Sequence, residues 1–394
     1  MNKRRIALIG AFDRNNYGDV FMPIILEEVL GENYSFDYYA LKDFDLTDVG
    51  GKKGRSLKKI SDYSYDASII VGGEVLSASY SGMIKNIEDN TVILFFYRVL
   101  NKLFPLSFEK LAKKILNGET INPWVYCRKR LSTDKIIYNT VGGRGIKFDK
   151  AYIDDLKESN FISVRDEQTK LELSKNGIRS FLYPDSVSII SRVFPKEKVE
   201  KIVTSELREK VKMAGNYFVF QINKSTGRNN IEELAFQIDQ IVKETNLSCI
   251  LLPIGYAQGH EDFVPLKKIK ELSKSDKVFF FEEKNIYSIL FILANSSLYV
   301  GTSLHGAITS MSYAIPHMAL TNSITKLTDY IKTWKSSPII YTSMGDLNEN
   351  IKKLFFDMDY RNDIKEISSR VVKLSEENFS KISEVIMSSV DEEN

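Results

Sequence analysis

Short apolar runs, each the length of a buried strand, recur along the chain and alternate with longer stretches whose apolar residues return every three or four positions. In the first half the strand-like runs are residues 5–9, 67–71, 135–141, 161–164 and 180–183; in the second they are 217–222, 248–254, 278–281 and 298–300, with another run ending at Leu320. Helical spacing occupies 20–30, the run through Leu173 to Gly177, and then 231–244, 287–294 and 328–333. Strand–helix alternation in both halves predicts α/β architecture with parallel sheets. The stretch that follows the first helix reads as polar. Residues 77 to 130 read as one helical segment, apolar and aromatic over 92–106 and then basic at Lys110, Lys113, Lys114, Arg128, Lys129 and Arg130. Such a segment either packs with its basic face in water or lies on an anionic membrane surface. The tail over 347–390 is helical and polar on one face.

The chain has 394 residues, more than one hydrophobic core usually serves, so two domains with a cleft between them are expected. Pro195 and a charged cluster interrupt the pattern at 194–199, which sets the domains at 1–195 (with the helical segment 77–131) and 196–345, followed by C-terminal helices at 346–394 that return to the first domain. Net charge is +2, so nothing global favours nucleic acid as a partner. The two cysteines, Cys127 and Cys249, lack the paired spacing of a zinc or redox site and suit a reducing cytoplasm. The basic N-terminus MNKRRIALIG stops at Gly10 without a cleavage site and reads as a first strand, and no apolar run is long enough to span a bilayer.

Candidate chemistry gathers where strands end. Over 300–320 the chain reads VGTSLHGAITSMSYAIPHMAL: a strand, a loop presenting Thr302, Ser303 and His305, and a helix opened by Gly306. Strand ends are where open α/β sheets bind ligands, and a helix N-terminus favours an anion. His305 therefore either does chemistry or caps a strand end. The loop GAFDRNNYGD over 10–19 has neither a dinucleotide fingerprint nor a phosphate loop, yet Asn15, Asn16, Gly18 and Asp19 suit close approach of a ligand as well as a turn. The triplet Asp43-Phe44-Asp45 could hold a metal, but no further ligands lie nearby in sequence and no metal site is expected. Glu74, after Gly72 and Gly73, is a base or sugar ligand, or a helix N-terminal charge. Arg165 offers a planar fork to a carboxylate or phosphate, or pairs with Asp166 or a helix end.

Taken in order, NNYGD, the glycine pair after a middle strand, SVRDE followed by PDSV, and SLHGAITSMSYAIP resemble the polysaccharide pyruvyl transferase family over most of the chain, from Arg5 to Lys326. The resemblance implies a GT-B-like fold of two facing Rossmann-like domains. It implies transfer of the enolpyruvyl group of phosphoenolpyruvate to two hydroxyls of a sugar, with phosphate released, a cyclic ketal formed and no further cofactor. The sugar belongs to a bacterial-type surface polysaccharide or its lipid-linked precursor, which would bring a cytoplasmic protein to the inner face of the membrane. By motif, Arg165, Ser303, Leu304, His305, Gly306 and Lys326 fall to the donor side and Asn15, Asn16, Tyr17, Gly18, Asp19, Gly72 and Gly73 to the acceptor side. His305, Arg165, Glu74 and Asp19 are the catalytic candidates. Two departures stand out: Ser303 replaces the arginine of the family's RLH triplet, and Glu74 follows two glycines where the family often has three. A GT-B glycosyltransferase with a nucleotide pocket at Gly255, Tyr256 and Glu261, or a glycan-binding member without catalysis, are the alternatives. Oligomeric state is not readable from the sequence.

Overall fold

The computed structural model describes residues 3–88, 90–118, 120–228, 230–257 and 260–388. Contacts divide the chain into two compact units, Met1–Arg14 with Asp19–Ser186 and Ser375–Asn394, and Asn15–Gly18 with Val187–Leu374. The main change of unit, between Ser186 and Val187, precedes the interrupted stretch at 194–199. The chain also leaves the first unit after Arg14 and re-enters it at Asp19.

The first unit is built on eight strands: β1 (Arg4–Ile9), β2 (Tyr34–Ala40), β3 (Phe44–Asp45), β4 (Lys53–Ser56), β5 (Ala67–Val71), β6 (Ile136–Val141), β7 (Phe161–Val164) and β8 (Phe181–Leu182). They lie in the order β3-β4-β2-β1-β5-β6-β7-β8. All pairs are parallel except β3 with β4; in register, Leu8 sits between Tyr38 and Ile69. Every residue of β5, β6 and β7 is buried, as expected of strands covered on both faces. The expectation of a polar stretch after the first helix fails at β2. Its polar residues are satisfied on a half-buried face: Arg5 donates to Asp37 Oδ2 from Nε at 2.9 Å and from a terminal nitrogen at 2.6 Å, and the Tyr65 hydroxyl donates to the same oxygen at 3.0 Å.

Helix α1 (Tyr17–Leu30) follows β1. Between β5 and β6 the expected single helical segment is broken up: three helices, α2 (Tyr80–Ile87), α3 (Thr91–Leu103) and α4 (Pro105–Ile115), are followed by a loop and a single helical turn at Arg128–Leu131. Asn90 starts α3 by accepting from the amides of Val92 and Ile93. Phe104 ends it, and Pro105, which has no amide hydrogen to leave unsatisfied, opens α4. These helices share a small core of Tyr80, Ile84, Phe108 and Ala112. Downstream of α4 the chain is held as a loop by buried Asn122, which donates to the carbonyls of Val75 and Leu76 at 3.0 Å and accepts from Trp124 N at 2.8 Å. Helix α5 (Glu167–Lys175) follows β7.

The second unit carries β9 (Tyr217–Gln221), β10 (Ser248–Leu251), β11 (Val278–Phe280), β12 (Leu298–Gly301) and β13 (His317–Ala319), all parallel, in the order β11-β10-β9-β12-β13. Val219, Ile250, Val300, Ile308 and Met318 are fully buried in its core. Helices α6 (Leu304–Ser312) and α7 (Thr325–Trp334) follow β12 and β13. Helix α8 (Met358–Met387) begins in the second unit and passes at Ser375 into the first.

Candidate active site

In the second unit the site is assembled at the ends of β9 and β12. Gly301 and Gln221 are register partners, so the glutamine side chain reaches the turn that follows β12. Its Oε1 accepts from Thr302 N at 2.8 Å, Ser303 N at 2.9 Å and the Thr302 hydroxyl at 3.2 Å. Its Nε2 donates to Asp262 Oδ2 at 2.8 Å, and that oxygen also accepts from Gly255 N at 2.8 Å and Ile254 N at 3.1 Å. Burial raises the Asp262 carboxyl to about 6 against the pull of these donors. Ser303 caps α6, its hydroxyl accepting from Gly306 N at 3.3 Å. The helix therefore starts at Leu304, two residues ahead of the expected glycine, and His305 is a buried residue of the first turn rather than of the loop. Gly306 is needed because a Cβ there would run into the Tyr299 ring.

The four residues Asn15–Gly18 are laid against this assembly. Asn16 bridges to Gly255, Tyr17 N donates to the Ile254 carbonyl at 3.3 Å, and the Asn15 carbonyl accepts from Tyr256 N at 3.1 Å and Ala257 N at 3.0 Å. The buried Tyr17 hydroxyl shares a hydrogen bond of 3.0 Å with Thr309 of α6. Gly18 faces His305 so closely that any Cβ would overlap the imidazole at Nδ1 and Cγ. NNYG and SLHG, 286 positions apart by the numbering of Ser303 and Tyr17, thus form one packed site.

In the first unit three strand ends meet. Arg165, after β7, is 2% exposed and donates to Glu74 Oε1 at 2.5 Å and to Asp185 Oδ2 at 3.1 Å. Burial acts to lower the pKa of this guanidinium, but Glu74, Asp185 and Asp166 outweigh it and the net shift is upward. Glu74 is the partly exposed member of the cluster. Gly72 and Gly73, at φ +53° and +77°, turn the chain so that Glu74 reaches the arginine, and Gly72 lies against the Met22 thioether. Gly142 leaves room for the pair: a Cβ there would be 2.8 Å from Glu74 Oε1 and 2.9 Å from Arg165 Nε. Asp166 caps α5 through Thr169 N at 2.8 Å, so the pairing partners of Arg165 come from other strand ends.

The sequence profile described as Polysaccharide pyruvyl transferase matches residues 16–324. The chain belongs to the polysaccharide pyruvyl transferase family. No curated protein matches it. Among solved structures it is similar in fold to the UDP-GlcNAc 2-epimerase of Methanocaldococcus jannaschii (TM-score 0.56, 13% identity, covering 90% of this chain and 93% of that one). It is also similar to S. aureus MnaA with UDP (0.58, 12%, 96% and 96%) and to the UDP-GlcNAc 2-epimerase of Neisseria meningitidis bound to UDP-GlcNAc (0.54, 11%, 96% and 99%). The fold is GT-B-like, with a sheet in each unit that is parallel apart from the β3–β4 pair of the first.

Of the residues that the pyruvyl transferase motifs single out, the second unit gathers Asn15, Asn16, Tyr17, Gly18, Ser303, Leu304, His305 and Gly306. Leu304 and Gly306 are buried in packing, while Ser303 is partly exposed. Lys326 is an exposed residue of the first turn of α7 rather than of the preceding loop. Asp19 lies in the first turn of α1 within the first unit. Asp43 and Asp45 are taken up locally: Asp43 accepts from Ser56 N and Lys59, and Asp45 from Thr47. Among the described residues no group of three His, Cys, Asp or Glu is placed to hold a metal. Asp185, Gln221, Asp262 and Thr309 are site residues that the motifs alone did not isolate; Asp185 and Thr309 carried a signal, lying in the PDSV and SLHGAITSMSYAIP motifs, whereas Gln221 and Asp262 carried none. Gly255, Tyr256 and Glu261 each make contacts within this unit. The first two hold the Asn15–Gly18 segment, and Glu261 pairs with Lys224 at 3.0 Å.

Proposed function

We propose that this family member transfers the enolpyruvyl group of phosphoenolpyruvate onto two hydroxyls of a sugar, in a surface polysaccharide or its precursor, forming a pyruvate ketal. The observation that carries the reading is the convergence of the NNYG and SLHG motifs on one buried histidine beside the capped start of α6. Phosphoenolpyruvate presents a carboxylate and a phosphate on a small frame, which suits a helix N-terminus and fixed polar groups better than a large apolar pocket. In this reading His305 delivers the proton that turns the methylene into a methyl group. Positive character then builds at the central carbon, and one sugar hydroxyl attacks it. The second hydroxyl displaces phosphate to close the ketal. One of the two hydroxyl protons is balanced by the new methyl hydrogen and the other leaves with phosphate, so no redox partner is required. In the first unit Glu74 is the candidate base for an acceptor hydroxyl, and Arg165, which the motifs assign to the donor side, holds that carboxylate in place together with Asp185.

The test is phosphate release from phosphoenolpyruvate by the purified protein with a panel of sugar acceptors, free and lipid-linked. Acceptor-dependent release is expected, falling about a hundredfold or more in His305→Ala, as for loss of a general acid. Near-normal turnover by that variant would remove His305 from the mechanism. Absence of phosphoenolpyruvate binding together with turnover of a nucleotide sugar would overturn the reading as a whole.

A further inference from the structure

The three-helix insertion between β5 and β6 turns apolar side chains outward. On α3, Val92, Phe95, Phe96 and Leu103 follow helical spacing along one stripe, and all are exposed. At the corner where α3 gives way to α4 the exposure culminates in Phe104 and Leu106, the latter 80% exposed. The inward stripe is already occupied, since Leu94 is buried and Tyr97 packs on Phe108 with ring centroids 5.4 Å apart. The outer face is therefore additional to what folding uses, and a run of exposed large apolar side chains at helical spacing marks an interaction surface.

Charge identifies the partner. Between Thr91 and Asn117 the chain carries Arg98, Lys102, Lys110, Lys113 and Lys114 against Glu109 alone, although the whole protein has a net charge of only +2. The Glu109 carboxylate is turned inward, accepting from Tyr80 N at 2.8 Å and Ser81 N at 2.9 Å, and so does not offset the outer face. Arg98 lies near enough to Lys85 of α2 to help burial depress the lysine pKa, which extends the positive field. A second copy docked through the same patch would set these cations against one another. An exposed apolar corner with exposed Arg98, Lys102 and Lys110 on the same two helices fits the acyl and headgroup layers of an anionic bilayer. With 13 residues, α3 is about 20 Å long against a hydrocarbon core of about 30 Å, and no helix among the described residues is long and apolar enough to cross a membrane.

We propose that the α3–α4 corner is a membrane-docking surface that inserts Phe96, Leu103, Phe104 and Leu106 into an anionic lipid surface while Arg98, Lys102 and Lys110 meet the headgroups. The proposal does not depend on which reaction the protein catalyses. It is tested by co-sedimentation of the full chain with phosphatidylglycerol–phosphatidylcholine vesicles and with phosphatidylcholine vesicles alone, at low and high salt. Binding to the anionic vesicles is expected, weakened by salt and on neutral lipid. The exposed double variant Phe96→Asp/Leu106→Asp should lose about tenfold or more with unchanged thermal unfolding. Lys102→Glu/Lys110→Glu should lose at least about fivefold for each cation removed. The conservative Phe96→Leu/Leu106→Phe should keep binding. Failure of the parent to bind anionic vesicles, equal binding by the Asp variant, or a lipid-free dimer that Phe96→Asp/Leu106→Asp dissociates would each overturn it.

Discussion

Gly18 has the narrowest tolerance in the second unit's site, because the His305 ring occupies the space a β-carbon would need. Gly18→Ala is expected to displace the imidazole and to lower kcat about a hundredfold, the cost of a misplacement near an ångström, while circular dichroism remains that of the parent. Two buried titratable residues of the same unit work against each other as pH changes. His317, bonded to the Ile315 carbonyl at 3.0 Å and the Ser336 hydroxyl at 2.9 Å, is pushed down to about 4 by burial. The unfolded chain takes up that proton near pH 6.5, so His317 removes up to about 3 kcal/mol of stability as pH falls from there to about 4. Asp262, raised to about 6, has the opposite sign: the unfolded carboxyl ionises near 4, so stability falls by up to about 3 kcal/mol as pH rises from about 4 to 6. Its Oδ1 makes no hydrogen bond and is the place for the retained proton. Chemical denaturation across this window should give a nearly level profile for these two groups together. Asp262→Asn should leave a stability that rises with pH, and His317→Gln one that falls; parallel profiles for both variants would disprove the opposition.

At the scale of elements, the first unit closes the end of α8 with a lysine. Buried Lys135, just before β6, donates to the carbonyls of Val385 and Ser388 at 2.5 Å and to the Ser388 hydroxyl at 2.8 Å. It fills the role of a cation at a helix C-terminus, where carbonyls lack intrahelical partners. Lys135→Met should cost about 2 kcal/mol, the range for bonds to a charged group, and hydrogen exchange should quicken in the last turn of α8 while β5 and β6 stay protected. Unchanged exchange at 384–388 would show that the turn is held by packing alone. The three-helix insertion shows how local signals cut a long helical pattern: Asn90 and Pro105 are start residues readable in the sequence, whereas the loop after α4 depends on Asn122 reaching the carbonyls of Val75 and Leu76, 47 and 46 positions away.

At the scale of the whole molecule, neither unit is a continuous piece of chain. The first is completed by Ser375–Asn394, whose Phe379, Ile382 and Ile386 are buried and whose Asn378 donates to Asn139 of β6 at 2.8 Å. Burying those three side chains contributes about 6 kcal/mol, comparable to the whole stability of a typical domain. Truncation after Leu374 should therefore unfold the first unit while amides of β9, β10 and β12 remain protected from hydrogen exchange. Retained protection in β1, β5 and β6 would refute this.

The alternation of buried runs and helical spacing was enough to determine the parallel sheets, because a strand covered on both faces must be mostly apolar along its length, as at 67–71 and 161–164, where a single small serine is the only polar side chain. Motif order likewise determined the family, and with it His305 and Arg165 as the residues to examine. The sequence could not show that β2 is a strand, since Asp37 is acceptable there only once Arg5 and Tyr65 lie beside it. Nor could it show that four residues near the N-terminus pack on α6, or that Arg165 is shared by Glu74 and Asp185. Those arrangements were decided by tertiary structure, because hydrogen bonds and close packing between residues 20 to 292 positions apart depend on where strand ends meet, and periodicity along the chain carries no record of that.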